Sequence, residues 1–199
     1  MKLYYSPGAC SLAADIVLRE AKIEADYVKV DLKSHKTEKG DDFTAINPKG
    51  YVPTLVLDDG DVLTENIAVL PYLASLAPRL LPESGMAKWH AIEKLGFVST
   101  EIHKGFKPLF DPSSSDDAKS KAKEQIAKRL GQVEKMLGKS DFLVGDSFTV
   151  VDAYLFVMLM WSEKQGVQVP ASLQSYASRL RERASVKEAL DFEGLNKKS

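Results

Sequence analysis

Lys2-Leu3-Tyr4-Tyr5-Ser6-Pro7-Gly8-Ala9-Cys10-Ser11-Leu12, near the start of a 199-residue chain, runs from a β-prone segment through a turn into a helix. Lys2 to Tyr5 favour a strand, and Ser6-Pro7-Gly8 is a turn signal. From Ser11 to Lys22 the apolar residues Leu12, Ile16, Val17 and Leu18 fall at helical spacing. Tyr27-Val28-Lys29-Val30 then alternates as a half-buried strand does. A strand, a helix and a second strand in this order predict a parallel pair joined by a right-handed crossover.

A polar stretch from Asp31 to Asp42 follows, with one short helical turn expected around Phe43 and Ile46. Asn47-Pro48-Lys49-Gly50 is another turn, and Val52-Pro53-Thr54-Leu55-Val56-Leu57 reads as a strand entered through a proline. Asp58-Asp59-Gly60-Asp61 is a tight hairpin loop, because Asp and Gly tolerate positive φ. Val62-Leu63 is its return strand. A helix is predicted from about Glu65 to Leu76, with Ile67, Leu70, Leu73 and Ala74 on one face. These elements predict a small mixed sheet with helices packed on it.

Pro78 to Gly85 interrupts the helical pattern and is the best linker candidate. Beyond it no strand is expected. Helices are predicted from Lys88 to Phe106, Ala118 to Leu137, Val150 to Lys164 and Ser172 to Ala184. The expected domains are 1–79, α/β, then a linker at 80–86, then an all-helical domain at 87–199.

Hydrophobic residues make up 44% and charged residues 28%, a globular composition. Lys and Arg total 27 against 28 for Asp and Glu, so the net charge of -1 offers nucleic acid or anionic lipid no electrostatic hold. The longest apolar run, Ala153 to Trp161, falls short of the ~20 residues of a membrane helix. The first residues lack the apolar core of a signal peptide, and a single cysteine forms no internal disulfide. The expectation is a cytoplasmic protein.

Thr149 and Asp152 form a capping box, each reaching the backbone of the other, with Phe148 packing back on the first turn. The helix behind them is apolar nearly all round and therefore buried. A structural role is expected here.

Cys10 is the first candidate for chemistry. Unpaired N–H groups and the helix dipole at its position favour a thiolate, and Ser11 can add a hydroxyl donor. A lone cysteine can also be a small core residue. Pro53 donates nothing to a neighbouring strand, so the Val52 backbone is open to another partner. Thr64 can cap the next helix with Glu65 in its first turn; alternatively Glu65 receives a ligand ammonium while helix-start N–H groups receive a carboxylate. His103 ends a helix beside Lys104, whereas His35 and His90 read as surface residues.

Together these stretches resemble the bacterial, beta-class glutathione transferases. The matching segments are Met1 to Leu12, Ile46 to Pro53, Leu63 to Glu65, Glu101 to Phe106 and Phe148 to Phe156. The resemblance implies a thioredoxin-like N-terminal domain, a helical-bundle C-terminal domain and a homodimer. It implies glutathione as co-substrate, a small hydrophobic electrophile as second substrate, and no metal. Cys10 then sits beside the glutathione sulfur, Val52 before a cis Pro53 pairs with its cysteinyl backbone, and Glu65 and Asn66 hold its γ-glutamyl end. His103 reaches the thiol site with Lys104 beside it, and Tyr5, Ser11 and Thr100 lie near the ligand. This chain departs from its relatives at His35, where a lysine that grips the glycyl carboxylate is usual, with Lys36 next to it. Asn66 replaces a usual Gly or Ser, and Gly96 an asparagine. The expected reaction is conjugation of glutathione to electrophiles, with disulfide exchange at Cys10 as a second activity. The alternatives are a glutathione-dependent thiol-disulfide or peroxide reductase, and a non-enzymatic binding protein for apolar ligands.

Overall fold

The computed structural model describes residues 1–196. In chain order the elements are β1 Lys2–Tyr5, α1 Leu12–Ala21, β2 Asp26–Asp31, β3 Lys36–Thr37, β4 Thr54–Val56, β5 Val62–Thr64, α2 Asn66–Ser75, α3 Gly85–Phe97, α4 Lys107–Phe110, α5 Asp116–Leu137, α6 Val150–Gln165, α7 Ala171–Arg181 and α8 Ala184–Phe192. They pack as two compact units, Met1–Leu80 with the chain from Arg183 onward, and Leu81–Glu182.

In the first unit a five-stranded sheet has the order β3-β2-β1-β4-β5. β1 and β2 are parallel, with Leu3 opposite Tyr27, and every other pair is antiparallel. The strand-helix-strand start and the β4–β5 hairpin are as the sequence predicts. The two-residue β3 lies inside the stretch read as irregular, and a single 3₁₀ turn, Phe43–Ala45, follows it. Successive side chains of β1 point to opposite faces. Tyr4 packs with Val30, Phe43 and Val52, its ring 5.5 Å from that of Phe43. Leu3 and Tyr5 point the other way. α1 is buried from Leu12 through Leu18 and packs against α2 and α8.

α8 corrects the expected boundaries. The sequence reading carries the helical domain to the end of the chain, yet from Arg183 the chain belongs to the first unit. Arg183 and Ser185 donate to Glu20 of α1, with the Arg183 bond at 2.6 Å. Phe192 lies 5.4 Å from the Tyr5 ring and 4.8 Å from that of Tyr27. Residues 197–199, also part of the expected helical domain, lie outside the described residues.

The second unit has no strand among its described residues. Its centre is α6, buried from Val150 through Leu159. Asp152 is fully buried and accepts from the Leu143 N–H at 2.9 Å, the Thr149 N–H at 2.7 Å, the Thr149 hydroxyl at 2.8 Å and the Tyr176 hydroxyl. Burial nevertheless holds its carboxyl above the usual range, against those donors. The single helix expected from Lys88 to Phe106 is broken: α3 ends at Phe97, Val98–Ile102 widens into a π turn, and His103–Phe106 tightens into a 3₁₀ turn. Such π segments inside helices often mark functional positions.

Candidate functional site

The loop from Ser6 to Ser11 is a closed turn. The Ala9 N–H donates to the Ser6 carbonyl at 3.0 Å, and the Ser11 hydroxyl oxygen accepts from the Ser6 N–H at 3.2 Å. The same hydroxyl donates to the Ser6 carbonyl at 3.4 Å, so its proton is directed into its own turn and not to the thiol, a correction to its reading as a donor for the thiol. Gly8, at φ 72°, donates its N–H to the Glu193 carboxylate at 2.7 Å. Burial pushes the Glu193 carboxyl up to about 8, against the Gly8 bond.

Cys10 follows this turn and donates from Sγ to the Val52 carbonyl at 3.1 Å. Some of its surface still meets solvent, but the atoms around the sulfur desolvate it. That burial pushes the thiol up to about 12; the Cys10 and Ser11 backbone N–H groups pull it down, while Glu65 and Glu193 raise it further. The expected stabilised thiolate is thus overturned. The helix-start donors act in the expected direction, and desolvation with two carboxylates outweighs them.

Val52–Pro53 is a cis peptide. Among the described residues the Val52 N–H has no backbone partner, so this segment presents an open donor beside the Cys10 sulfur. The start of α2 lies next to it. Asn66, 5% exposed, donates from Nδ2 to the Cys10 carbonyl at 3.0 Å. Its amide nitrogen is spent on the chain itself, which leaves its backbone N–H for a ligand.

Glu65 is the residue before α2, and its side chain makes no cap bond to the helix. The expected alternative of a Thr64 cap with Glu65 in the first turn does not occur, because Thr64 ends β5 and Glu65 adopts φ 68°. A non-glycine residue there is strained, and such strain collects at ligand-binding positions. The Glu65 carboxylate, 47% exposed, accepts from Lys49 Nζ at 2.8 Å and the Tyr51 hydroxyl at 2.6 Å. Lys49 and Tyr51 escaped the sequence reading; their one signal was a spacing of two in the turn that leads to Val52.

His35 meets the turn that carries Lys49 and Tyr51 at its middle residue. His35 Nδ1 is hydrogen-bonded to the Gly50 carbonyl at 3.0 Å, and its ring would lie 2.8 Å from a Cβ placed on Gly50, so that position must be glycine. Lys36 belongs to β3. Tyr5 points into the aromatic group with Tyr27, 6.0 Å away, and Phe192, and burial with Glu193, Glu38 and Asp15 raises its phenol.

In the second unit, His103 Nδ1 is hydrogen-bonded to the Tyr154 hydroxyl at 2.5 Å. Its ring meets those of Tyr154 at 5.7 Å and Trp161 at 5.1 Å, edge to face. Trp161 in turn contacts Phe106 at 5.4 Å and Phe110 at 4.8 Å. Phe110 is 48% exposed, so this aromatic group has an open side. Lys104 is exposed, and the Thr100 hydroxyl donates to the Gly96 carbonyl at 3.0 Å. Tyr154 and Trp161 had been read only as members of a buried apolar helix.

A mixed sheet with helices is followed by an all-helical unit, and the sequence profiles name the family. The glutathione S-transferase N-terminal domain profile matches residues 8–76, and the C-terminal domain profile residues 97–183. This chain belongs to the glutathione transferase family, with its thioredoxin-like first domain and helical second domain. Glutathione S-transferase GstA of Escherichia coli O157:H7 is 42% identical over 200 residues, covering 98% of this chain and 100% of that one. A sphingomonad glutathione S-transferase solved with glutathione superimposes with a TM-score of 0.93 at 44% identity, over 98% of this chain and 100% of the other. The bacterial beta-class enzyme of Sphingomonas chungbukensis gives 0.91 at 46%, with the same coverage. Within the family, then, the chain sits with the bacterial beta class.

Proposed function

We propose that this protein is a glutathione transferase that joins the glutathione sulfur to small apolar electrophiles. The observation that carries the reading is the Asn66 bond to the Cys10 carbonyl, which sets the uncapped start of α2 beside the Cys10–Val52 segment. A γ-glutamyl group carries both an ammonium and a carboxylate. Glu65 suits the first, and the free N–H groups opening α2 suit the second. The Val52 N–H suits the carbonyl of a cysteinyl residue, which brings that residue's sulfur toward Cys10.

In the reaction the glutathione thiol loses its proton to solvent and its sulfur forms a bond to the electrophilic carbon. The carbon–halogen bond breaks and halide leaves with the electron pair. Holding two reactants together supplies much of the rate gain. The open aromatic side at Phe110, backed by Trp161, suits a flat apolar electrophile, and His103 with Lys104 adds polar groups to that unit. Since its thiol is held near 12, Cys10 serves as a neighbour of the glutathione sulfur rather than as the resident thiolate. The same reading has the protein work as a cytoplasmic homodimer in the removal of reactive compounds.

The test is glutathione-dependent conjugation of a chlorodinitrobenzene-type electrophile. Product that requires both glutathione and protein is the expected result. Tight glutathione binding without product would leave a binding protein instead. Mass spectrometry after treatment with oxidised glutathione reports the disulfide-exchange activity as an adduct on Cys10.

A further inference from the structure

Asn66 holds two parts of the first unit at once. Its backbone opens α2, where N–H groups lack helical partners. Its side chain reaches across 56 positions to the Cys10 carbonyl. A carbonyl only accepts, so the amide must turn its nitrogen toward Cys10, and Oδ1 is left buried with no partner among the described residues. The Cys10 carbonyl also takes the Ala13 N–H of α1 at 3.3 Å, and the Cys10 sulfur bonds to Val52. A shift at the first residue of α2 is therefore passed to the cysteine through one direct, part-buried bond.

We propose that Asn66 is a positioning residue that couples occupancy of the α2 start to the placement and reactivity of Cys10. The proposal rests on the glutathione reading above. Ligand atoms that pair with the Asn66 N–H, or with the orphan Oδ1, act directly on the residue that holds the Cys10 carbonyl. By linkage the coupling is reciprocal, so modification of Cys10 changes affinity at the α2 start by the factor through which the ligand acts on Cys10.

Cys10 is the single cysteine of the chain, so the rate at which iodoacetamide modifies the Cys10 peptide, followed by mass spectrometry, reports on that thiol. With the thiol held near 12, the alkylation rate of the parent keeps climbing beyond about pH 10. The occupant is γ-glutamylglycine, which carries the γ-glutamyl end of glutathione and no thiol to block Cys10. Saturating dipeptide changes the parent's rate at pH 8 by at least about fivefold. In Asn66→Ala the profile without dipeptide moves to lower pH and the dipeptide effect falls below about twofold, while calorimetry still registers dipeptide binding. Asn66→Ser, too short to reach the carbonyl, gives the same pattern and serves where the alanine variant melts too low. An Asn66→Ala or Asn66→Ser protein with the parent's profile and the parent's dipeptide effect overturns the proposal. A parent that binds glutathione and the dipeptide, but whose alkylation ignores the dipeptide, overturns the coupling alone. A parent that binds neither overturns the glutathione reading, and the coupling with it.

Discussion

Two helix starts of this protein carry an acidic side chain, Asp152 inside the first turn of α6 and Glu65 just before α2, and the two are built in opposite ways. At α6 the Asp152 carboxylate is fully buried, and both oxygens are filled by donors of its own unit, from Leu143, Thr149 and Tyr176. At α2 the Glu65 carboxylate is 47% exposed and turns away from the helix toward Lys49 and Tyr51, on a backbone at φ 68°. At the first start the carboxylate is consumed by donors of its own unit, and the Thr149 N–H before the helix is among them. The second leaves donors open and accepts strain to do so. A helix start is therefore a stability device or a ligand site according to what its own chain has already consumed.

The comparison breaks first at Asp152→Ala. That change leaves the Leu143 and Thr149 N–H groups and the Tyr176 hydroxyl without their acceptor in a buried place. It is expected to cost about 3 kcal/mol of stability, or roughly 6–12 °C in Tm, with an unchanged glutathione Kd by calorimetry. Equal melting of variant and parent would show that the α6 start does not carry stability. Glu65→Gln is the mirror image. Glutathione affinity is expected to drop about tenfold or more, since a charge-assisted bond to the ligand ammonium is lost, with Tm within about 2 °C of the parent. An unaltered affinity would remove Glu65 from the site. The finest test is Glu65→Gly, which relieves the positive φ. Thermal melting should show a gain on the order of 0.5–1 kcal/mol while affinity still falls. A loss of stability there would mean that the strain at Glu65 is not a cost borne for binding.

Much of this could be read from the residues. Period-two and period-3.6 patterns located β1, α1, β2, the β4–β5 hairpin and the α5 and α6 helices, because each buries one face or all of its faces. β3 was invisible because two residues carry no period. α8 was missed because no glycine or proline separates it from α7; a buried carboxylate 163 positions away, Glu20, holds Arg183 at its start. The turns after Phe97 were missed because the apolar spacing continues through Val98, Ile102 and Phe106 while the backbone pitch changes beneath it. In the site, Cys10, Val52, Glu65 and Asn66 were named in advance. The sign of the Cys10 shift was not legible, since it is set first by how far the folded chain desolvates the sulfur, with Glu65 and Glu193 adding to the rise from distant parts of the sequence. The Thr64 cap failed for a local reason: Thr64 was already the last residue of a strand.

The return of α8 to the first unit also sets an order of events at birth. A chain leaves the ribosome N-terminus first, at ~5–20 residues per second. The sheet and α1 emerge early, but Arg183, Ser185 and Phe192, which cover α1, Tyr5 and Tyr27, come last. For an interval on the order of 5–20 s, while the helical unit is translated, the nascent first unit stands with one flank bare. Its completion thus waits until the helical unit has been made, and the apolar face of α1 is what a chaperone on the ribosome would meet in the meantime.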